Sequence, residues 1–468
     1  MDLMQSKSRA RLTDAEGTRP AQGAVNDCTT PLSRIGTCVP FPMANGGTTD
    51  RAVDRWSDRE TFLRQGQRTR TPSSHMRAVL EIALRPGHAA DRLAHGHPWV
   101  WREAIARGLE KAAAGQEVQV LAADGTPVGR GLADPGSPLA VRLWTRGKAP
   151  IDEALFRDRV GRACALRQRL FRSGATTAYR VLHGEGDRLP GFVVDRYGPV
   201  SVLRTDGDGA AARVSDLVDV LGPTLESWGV STLVHRVGGK GEKPRFEVLR
   251  GEEPPDSIEV EEHGLKFVVD LRHGQKTGAF LDQRENRALV GTLAAERRVL
   301  NLFSYAGGFS LFAASAGAKH VTSVDVAAGA HATAQASFRA SGLDPGKQAF
   351  VTADVYAFLD QAKKRGETWD LVISDPPSFA PSEKAVPRAL TAYRALHRAC
   401  ADVLDRRGLF CAASCSSHVD MASFLTTLDD AALGRDDLRV LELRGAGPDH
   451  PTLAAFPEGR YLKLAVLG

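Results

Sequence analysis

Asn301-Leu-Phe-Ser-Tyr-Ala-Gly-Gly-Phe-Ser310 extends a short apolar run that begins at Val299, and it reads as a strand turning through paired glycines into a helix. The same rhythm recurs downstream. Strands expected at Val299 to Phe303, His320 to Val324, Gln348 to Thr352, Leu371 to Ser374 and Leu409 to Ala413 alternate with helix-length segments, which predicts an α/β fold with a doubly wound parallel sheet. In such a sheet the glycine turn lets backbone approach a ligand. A plain strand-to-helix turn accounts for it as well, while the GxGxxG pattern and a Walker lysine are both missing.

Two more strands, Leu438 to Leu443 and Tyr461 to Val466, follow without a full helix between them, so an antiparallel hairpin is expected at the sheet edge. That ending suits a methyltransferase sheet better than a dinucleotide dehydrogenase. Asp325 ends the second strand, about twenty residues past the glycine turn, where a carboxylate accepts ribose hydroxyls. Asp354 ends the third and reads either as an adenine contact or as a helix N-cap.

Asp375-Pro-Pro-Ser-Phe379 places a stiff acidic turn at the carboxyl edge of the fourth strand, and Ser414-Cys-Ser416 ends the fifth at the same edge. A thiol beside a methyl-transfer site has a specific chemical meaning. Carbon-5 of a pyrimidine is unreactive until a nucleophile adds at carbon-6, whereas an exocyclic amine needs no protein nucleophile. Cys415 is therefore either that nucleophile or a small residue ending a strand. Cys411 and Cys400 are expected to be structural.

Upstream, residues 1–75 lack periodic patterning and are expected to be mostly disordered, with Met76 an alternative natural start. Cys28 and Cys38 lie there without partners at metal-binding spacing. Residues 77–148 carry short β-like runs (Glu117 to Leu121, Val128 to Leu132, Leu139 to Trp144) that predict a small β-barrel. In Gly96-His-Pro-Trp-Val-Trp101 the two tryptophans are expected mainly in a core, with base stacking as the other reading. Residues 151–260 open with an arginine-rich helix at 151–172 and continue as an α+β middle domain, and 261–468 hold the large sheet.

The chain has 61 Lys plus Arg against 56 Asp plus Glu, a formal charge of +5 and a pI near 8.9, so nucleic acid is permitted rather than demanded. Its six cysteines form no CxxC pair, and the sequence shows no secretory signal and no apolar run of spanning length. A reducing cytoplasm is expected, with no membrane and no metal; a homodimer is one open expectation.

Several motifs in one order resemble the 23S ribosomal RNA large-subunit methyltransferase I family: Gly274-Gln-Lys-Thr-Gly-Ala-Phe-Leu-Asp-Gln-Arg284, Asn301 to Ser310, Asp375 to Phe379, Ser414 to Ser417, Asp449-His-Pro451 and Pro457-Glu-Gly-Arg-Tyr-Leu462. The likeness runs from about residue 77 to 468 and includes Val181 to Gly191 with Val194 to Gly198. It implies an N-terminal PUA domain, a middle domain of the family's own type, and a class I methyltransferase domain making 5-methylcytosine in ribosomal RNA from S-adenosylmethionine. On this reading Cys415 is the nucleophile and Asp375 holds the cytosine. The cofactor falls to Phe303, Tyr305, Ala306, Gly307, Gly308, Asp325, Asp354 and Asp375, while Pro377 and Phe379 clamp the base. Lys276 and Arg284 either orient RNA phosphate or form structural ion pairs. A sister family that methylates guanine shares the QKTG, LDQR and DPP elements but is Asn-rich where this chain has Ser414-Cys-Ser416. Other RNA cytosine-5 methylases carry a further cysteine after the acidic Pro motif, where this chain has Ser378, so the acceptor of the carbon-5 proton stays open. The rival expectations are a base-nitrogen methylase and a non-catalytic RNA-binding assembly factor.

Overall fold

The computed structural model describes residues 79–238 and 244–468; the expectations for residues 1–75 fall outside them. Strands β1 (Leu80–Leu84), β2 (Trp99–Trp101), β3 (Ile105–Arg107), β4 (Glu117–Leu121), β5 (Pro127–Ala133) and β6 (Leu139–Arg146) form one sheet in the order β2-β6-β5-β4-β1-β3. Its two end strands are joined by the single turn Arg102–Ala104, so the sheet curls back on itself as a small barrel around Ile82, Val118, Val120 and Val141. The tryptophans correct the expectation of core packing. Trp101 is 36% exposed, and Trp99 lies half-buried against Phe456 with ring centroids 4.6 Å apart.

The middle sheet, β7 (Ala178–His183), β8 (Phe192–Tyr197), β9 (Val200–Thr205), β10 (Thr232–Val237) and β11 (Arg245–Arg250), runs in the order β11-β10-β9-β8-β7. Helices Glu153–Leu170 and Val214–Ser227 cover one face through Phe156, Val160, Leu217 and Leu221. A hairpin, β12 (Ser257–Glu262) and β13 (Leu265–Asp270), had no counterpart among the expected elements and spans position 260, where a boundary was expected. Val260, Phe267 and Val269 from it pack with Tyr197 and Val202 on one side and Leu311, Phe312 and Phe338 on the other, which welds the middle and C-terminal parts.

The third sheet holds β14 (Arg298–Leu302), β15 (His320–Asp325), β16 (Ala349–Thr352), β17 (Trp369–Ser374), β18 (Leu404–Ser414), β19 (Val440–Arg444) and β20 (Lys463–Leu467), in the order β16-β15-β14-β17-β18-β20-β19. The first five are parallel, and β20 enters antiparallel between β18 and β19. The order reverses between β14 and β17, and there the carboxyl ends of the strands open a crevice. No helix among the described residues is long and apolar enough to cross a membrane.

The loop from β19 to β20 is held by charge. Asp449 is fully buried and accepts Nη1 and Nη2 of the equally buried Arg284 at 2.9 and 2.8 Å. It also accepts the main-chain N–H of Arg180 at 2.9 Å, while its own carbonyl accepts Arg167 Nη2 at 2.6 Å. Arg167 reaches Asp187 as well, at 2.7 Å. Gly186 explains the middle-domain motif: a Cβ there would stand 1.8 Å from the Pro451 carbonyl oxygen, so no other residue lets the loop close. Burial pushes the Asp449 carboxyl up, but His450 and Arg284 outweigh it and hold the group well below the usual carboxylate range. Asp449→Ala strands a buried guanidinium, so it should lower unfolding stability by about 3–5 kcal/mol, read as a fall in the urea midpoint. Arg157→Ala, which breaks only an exposed helix pair with Glu153, should cost under about 1 kcal/mol.

Candidate active site

β14 ends at Leu302, and the next turn is wound tightly: Phe303, Tyr305 and Gly307 all have positive φ, at 56°, 45° and 71°. Two of these carry side chains, so the conformation is strained and must be enforced by its surroundings. The enforcement is visible. Ser304 N donates to the Val324 carbonyl at 3.1 Å, Tyr305 N to Asp325 Oδ2 at 2.8 Å, and the Tyr305 hydroxyl accepts Gln275 N at 3.1 Å. A Cβ at Gly307 would lie 2.7 Å from Ala334, so this glycine serves both the turn and the packing of helix Ala328–Ala340. Asn301, Ser310 and Ser323 lock strand, helix and β15 together through buried hydrogen bonds of 2.8 and 2.7 Å.

Asp325 is half-buried and accepts the amides of Tyr305 and Ala327, leaving lone pairs toward the crevice for a diol. Ala306 and Gly308 lie in the same turn. Asp354 caps helix Val355–Lys364 by accepting Ala357 N at 2.9 Å through one carboxylate oxygen, which leaves the second for a ligand. These features suit an adenosine-type cofactor: strained amides over a glycine turn, then one carboxylate at the end of each of the next two strands.

Across the crevice, β17 delivers Asp375 and β18 delivers Cys415. Side chains alternate at the end of β18. Ser414 and Ser416 turn inward to the Tyr393 hydroxyl at 2.8 and 3.0 Å, while Cys415 turns the other way, its thiol donating to the Pro376 carbonyl at 3.9 Å. Ser416 Oγ also accepts Phe379 N at 3.2 Å and Ala380 N at 3.3 Å, so one serine pins the acidic Pro turn to the cysteine strand. Phe379 leans on Tyr393 with centroids 4.8 Å apart, and Pro377 is exposed at the rim. Among the described cysteines only Cys415 is not buried. Cys411 and Cys400 are fully enclosed, and burial pushes both thiols up to about 12.

The electrostatics are set by the segment that precedes Arg284. Gln283 Nε2 donates to Asp375 Oδ2 at 2.9 Å, and Asp282 Oδ2 accepts both Lys276 Nζ at 2.6 Å and the Tyr461 hydroxyl at 2.5 Å. Burial and then the charge of Asp282 raise the Asp375 carboxyl to about 6. Burial and then Asp375 raise the Cys415 thiol to about 11, against the pull of Lys276. Lys276 is committed to Asp282 and rests over the Phe280 ring at 4.6 Å, so it faces the site rather than open solvent. Arg284 corrects the expectation of a phosphate contact: it is 0% exposed with both ends of its fork on Asp449, and no RNA phosphate reaches it.

Residue-by-residue reading of the sequence missed Asp282, Gln283, Tyr393, Tyr461 and Lys463. Three of them lay inside quoted motifs, LDQR and PEGRYL, but only contact across the crevice shows what they touch.

Comparison with known proteins identifies the family. A family model described as S-adenosylmethionine-dependent methyltransferase matches residues 220–455, and one described as PUA-like domain matches residues 82–146. Ribosomal RNA large subunit methyltransferase I of Shewanella denitrificans is 36% identical over 390 residues, covering 82% of this chain and 98% of that protein. Its namesake in Aliivibrio fischeri is 36% identical over 374 residues, covering 78% of this chain and 94% of its own. The crystal structure of SMU.776 complexed with SAH is 25% identical with a TM-score of 0.73, covering 83% of this chain and 99% of that one. With that identity sustained over almost the whole length of its relatives, the chain belongs to the ribosomal RNA large subunit methyltransferase I family, S-adenosylmethionine-dependent methyltransferases with a PUA-like domain.

Proposed function

We propose that this protein methylates carbon-5 of a cytosine in large-subunit ribosomal RNA through a covalent bond between Cys415 and carbon-6. The observation that carries the reading is the placement of the one half-exposed described thiol beside Asp375 and Pro376 at the carboxyl edge of the sheet. The names of the relatives support the RNA substrate, and the PUA-like barrel of β1 to β6 supplies a surface for gripping it. The segment 151–260 joins that grip to the catalytic part, 261–468.

S-adenosylmethionine supplies an electrophilic methyl group; Asp325 and the Phe303 to Gly308 turn would hold its nucleoside, with Asp354 at the adenine end. The thiolate of Cys415 adds to carbon-6, and the ring electrons gathered at carbon-5 would take the methyl group as its bond to the sulfonium sulfur breaks, that electron pair staying on the departing thioether. Loss of the carbon-5 proton to a base then returns an electron pair that expels the sulfur. Asp375, as carboxylate, accepts from the cytosine amino group, and Phe379 with Pro377 closes over a base taken out of its stack.

Cys415→Ala should fold, bind S-adenosylmethionine and fail to methylate. With RNA carrying 5-fluorocytosine at the target, the parent enzyme should accumulate a denaturant-resistant adduct mapping to Cys415. Methylation at a ring or amino nitrogen, read by nucleoside mass spectrometry, would replace this mechanism with one in which the thiol only packs.

A thiol near 11 and a carboxyl near 6 fix the expected pH dependence. Both reactive forms are deprotonated, so the single-turnover rate should climb by about tenfold per pH unit between 7 and 9. A flat rate over that window would mean that Asp375 acts instead as an acid, giving its proton to N3.

Asp325→Ala leaves ribose hydroxyls unpaired and should weaken S-adenosylmethionine binding by about 2–4 kcal/mol. Calorimetry returning the parent affinity on a folded variant would move the ribose elsewhere.

A further inference from the structure

Lys463 is out of character with its strand. Leu462, Leu464, Ala465, Val466 and Leu467 around it are buried and apolar, and Lys463 itself is only 2% exposed. A buried ammonium is unfavourable unless its donors are satisfied. All three are. Nζ donates to the carbonyls of Ser416 at 2.8 Å, Val419 at 2.6 Å and Tyr461 at 2.7 Å. Two of these acceptors lie on the turn that leaves Cys415, and the register of β20 sets Lys463 directly opposite Ser414, the residue before it.

Among the described residues no carboxylate lies within ion-pair distance of Lys463. Burial accordingly pulls its ammonium down to about 8, with Cys415 and then Asp420 acting the other way. The charges facing the thiol from other elements are Asp375 on the acidic turn and Lys276 and Asp282 on the segment before Arg284, and Lys276 is already neutralised by Asp282. Lys463 is thus held by carbonyls alone, two of them on the turn that follows Cys415.

We propose that Lys463 is a positioning residue for the nucleophile, clamping the turn after Cys415 by the carbonyls of Ser416 and Val419 and so fixing where the sulfur stands in the crevice. The inference rests on Cys415 being the nucleophile. It predicts that the lysine acts on thiol reactivity and not on cofactor affinity, since the cofactor turn belongs to β14 and β15.

The test measures the thiol directly. Alkylation of Cys415 by iodoacetamide is followed against pH by peptide mapping in the parent, Lys463→Met and Lys463→Arg, with S-adenosylmethionine calorimetry as the control for folding. Adduct formation on 5-fluorocytosine RNA is timed alongside. In Lys463→Met alkylation across the pH profile and adduct formation at fixed pH should both slow by about tenfold, because the sulfur is no longer held in place. Cofactor binding should be unchanged, and Lys463→Arg should recover part of the loss. A folded Lys463→Met with the parent profile and adduct rate overturns the proposal. Should that variant fail to fold, the parent is labelled with 15N-lysine: its exchange-protected ammonium signal should shift when the adduct forms, and a signal that stays in place overturns the proposal equally. If Cys415→Ala still methylates carbon-5, the nucleophile assignment itself falls; if it does not and Lys463→Met leaves the thiol unaltered, only the role of Lys463 falls.

Discussion

The buried pairing of Arg284 with Asp449 is the constraint on which the site depends. Arg284 opens a helix immediately after Asp282 and Gln283, which reach Lys276, Tyr461 and Asp375. Asp449 lies on the loop that goes on to Tyr461 and Lys463. One bidentate contact therefore sets the register between the two segments that line the crevice. Its energetics are those of any dry ion pair: the net gain over an apolar pair is small, but losing one partner is severe. Such a contact selects one arrangement more than it adds stability, and here it holds the two walls of the crevice in register.

The same loop extends the constraint outward. Beyond Pro451 it carries Phe456 against Trp99 and Glu458 toward His97 and Arg92 of the barrel, with Glu458 at 3.2 Å from His97 and 3.1 Å from Arg92. Residues 449–463 thus touch the barrel, the middle sheet and the turn after Cys415 in succession. Three modules share one strap, and the half-buried hairpin β12–β13 joins the middle and C-terminal parts through a shared apolar cluster. Single Glu458 contacts at the exposed end are weak, whereas the Asp449 end is fully dry, so the rigidity is graded toward the chemistry.

The serines around Cys415 illustrate how strand geometry aims a side chain. Because successive side chains face opposite ways, Ser414 and Ser416 engage Tyr393 and the acidic Pro turn only if Cys415 faces the crevice. The Ser-Cys-Ser pattern is thereby a statement of orientation. Cys411, four residues earlier on the same side of the strand, is enclosed among Val299, Ile373 and Val466 and meets no solvent.

By itself the sequence determined the strand-helix alternation, the glycine turn, the carboxylates at strand ends and the antiparallel ending, because each is encoded in local period and turn chemistry. Asp325, Asp375 and Cys415 were legible for the same reason: strand ends in a doubly wound sheet share one edge. Tertiary structure alone decided the rest. Arg284 is a partner of Asp449 and not of phosphate, Trp101 faces solvent, and the β12–β13 hairpin joins two cores, each a matter of contact between residues distant in the chain. Lys463 is the clearest case, a basic residue whose meaning depends on insertion of β20 beside β18, since only that pairing brings its ammonium to the carbonyls behind Cys415.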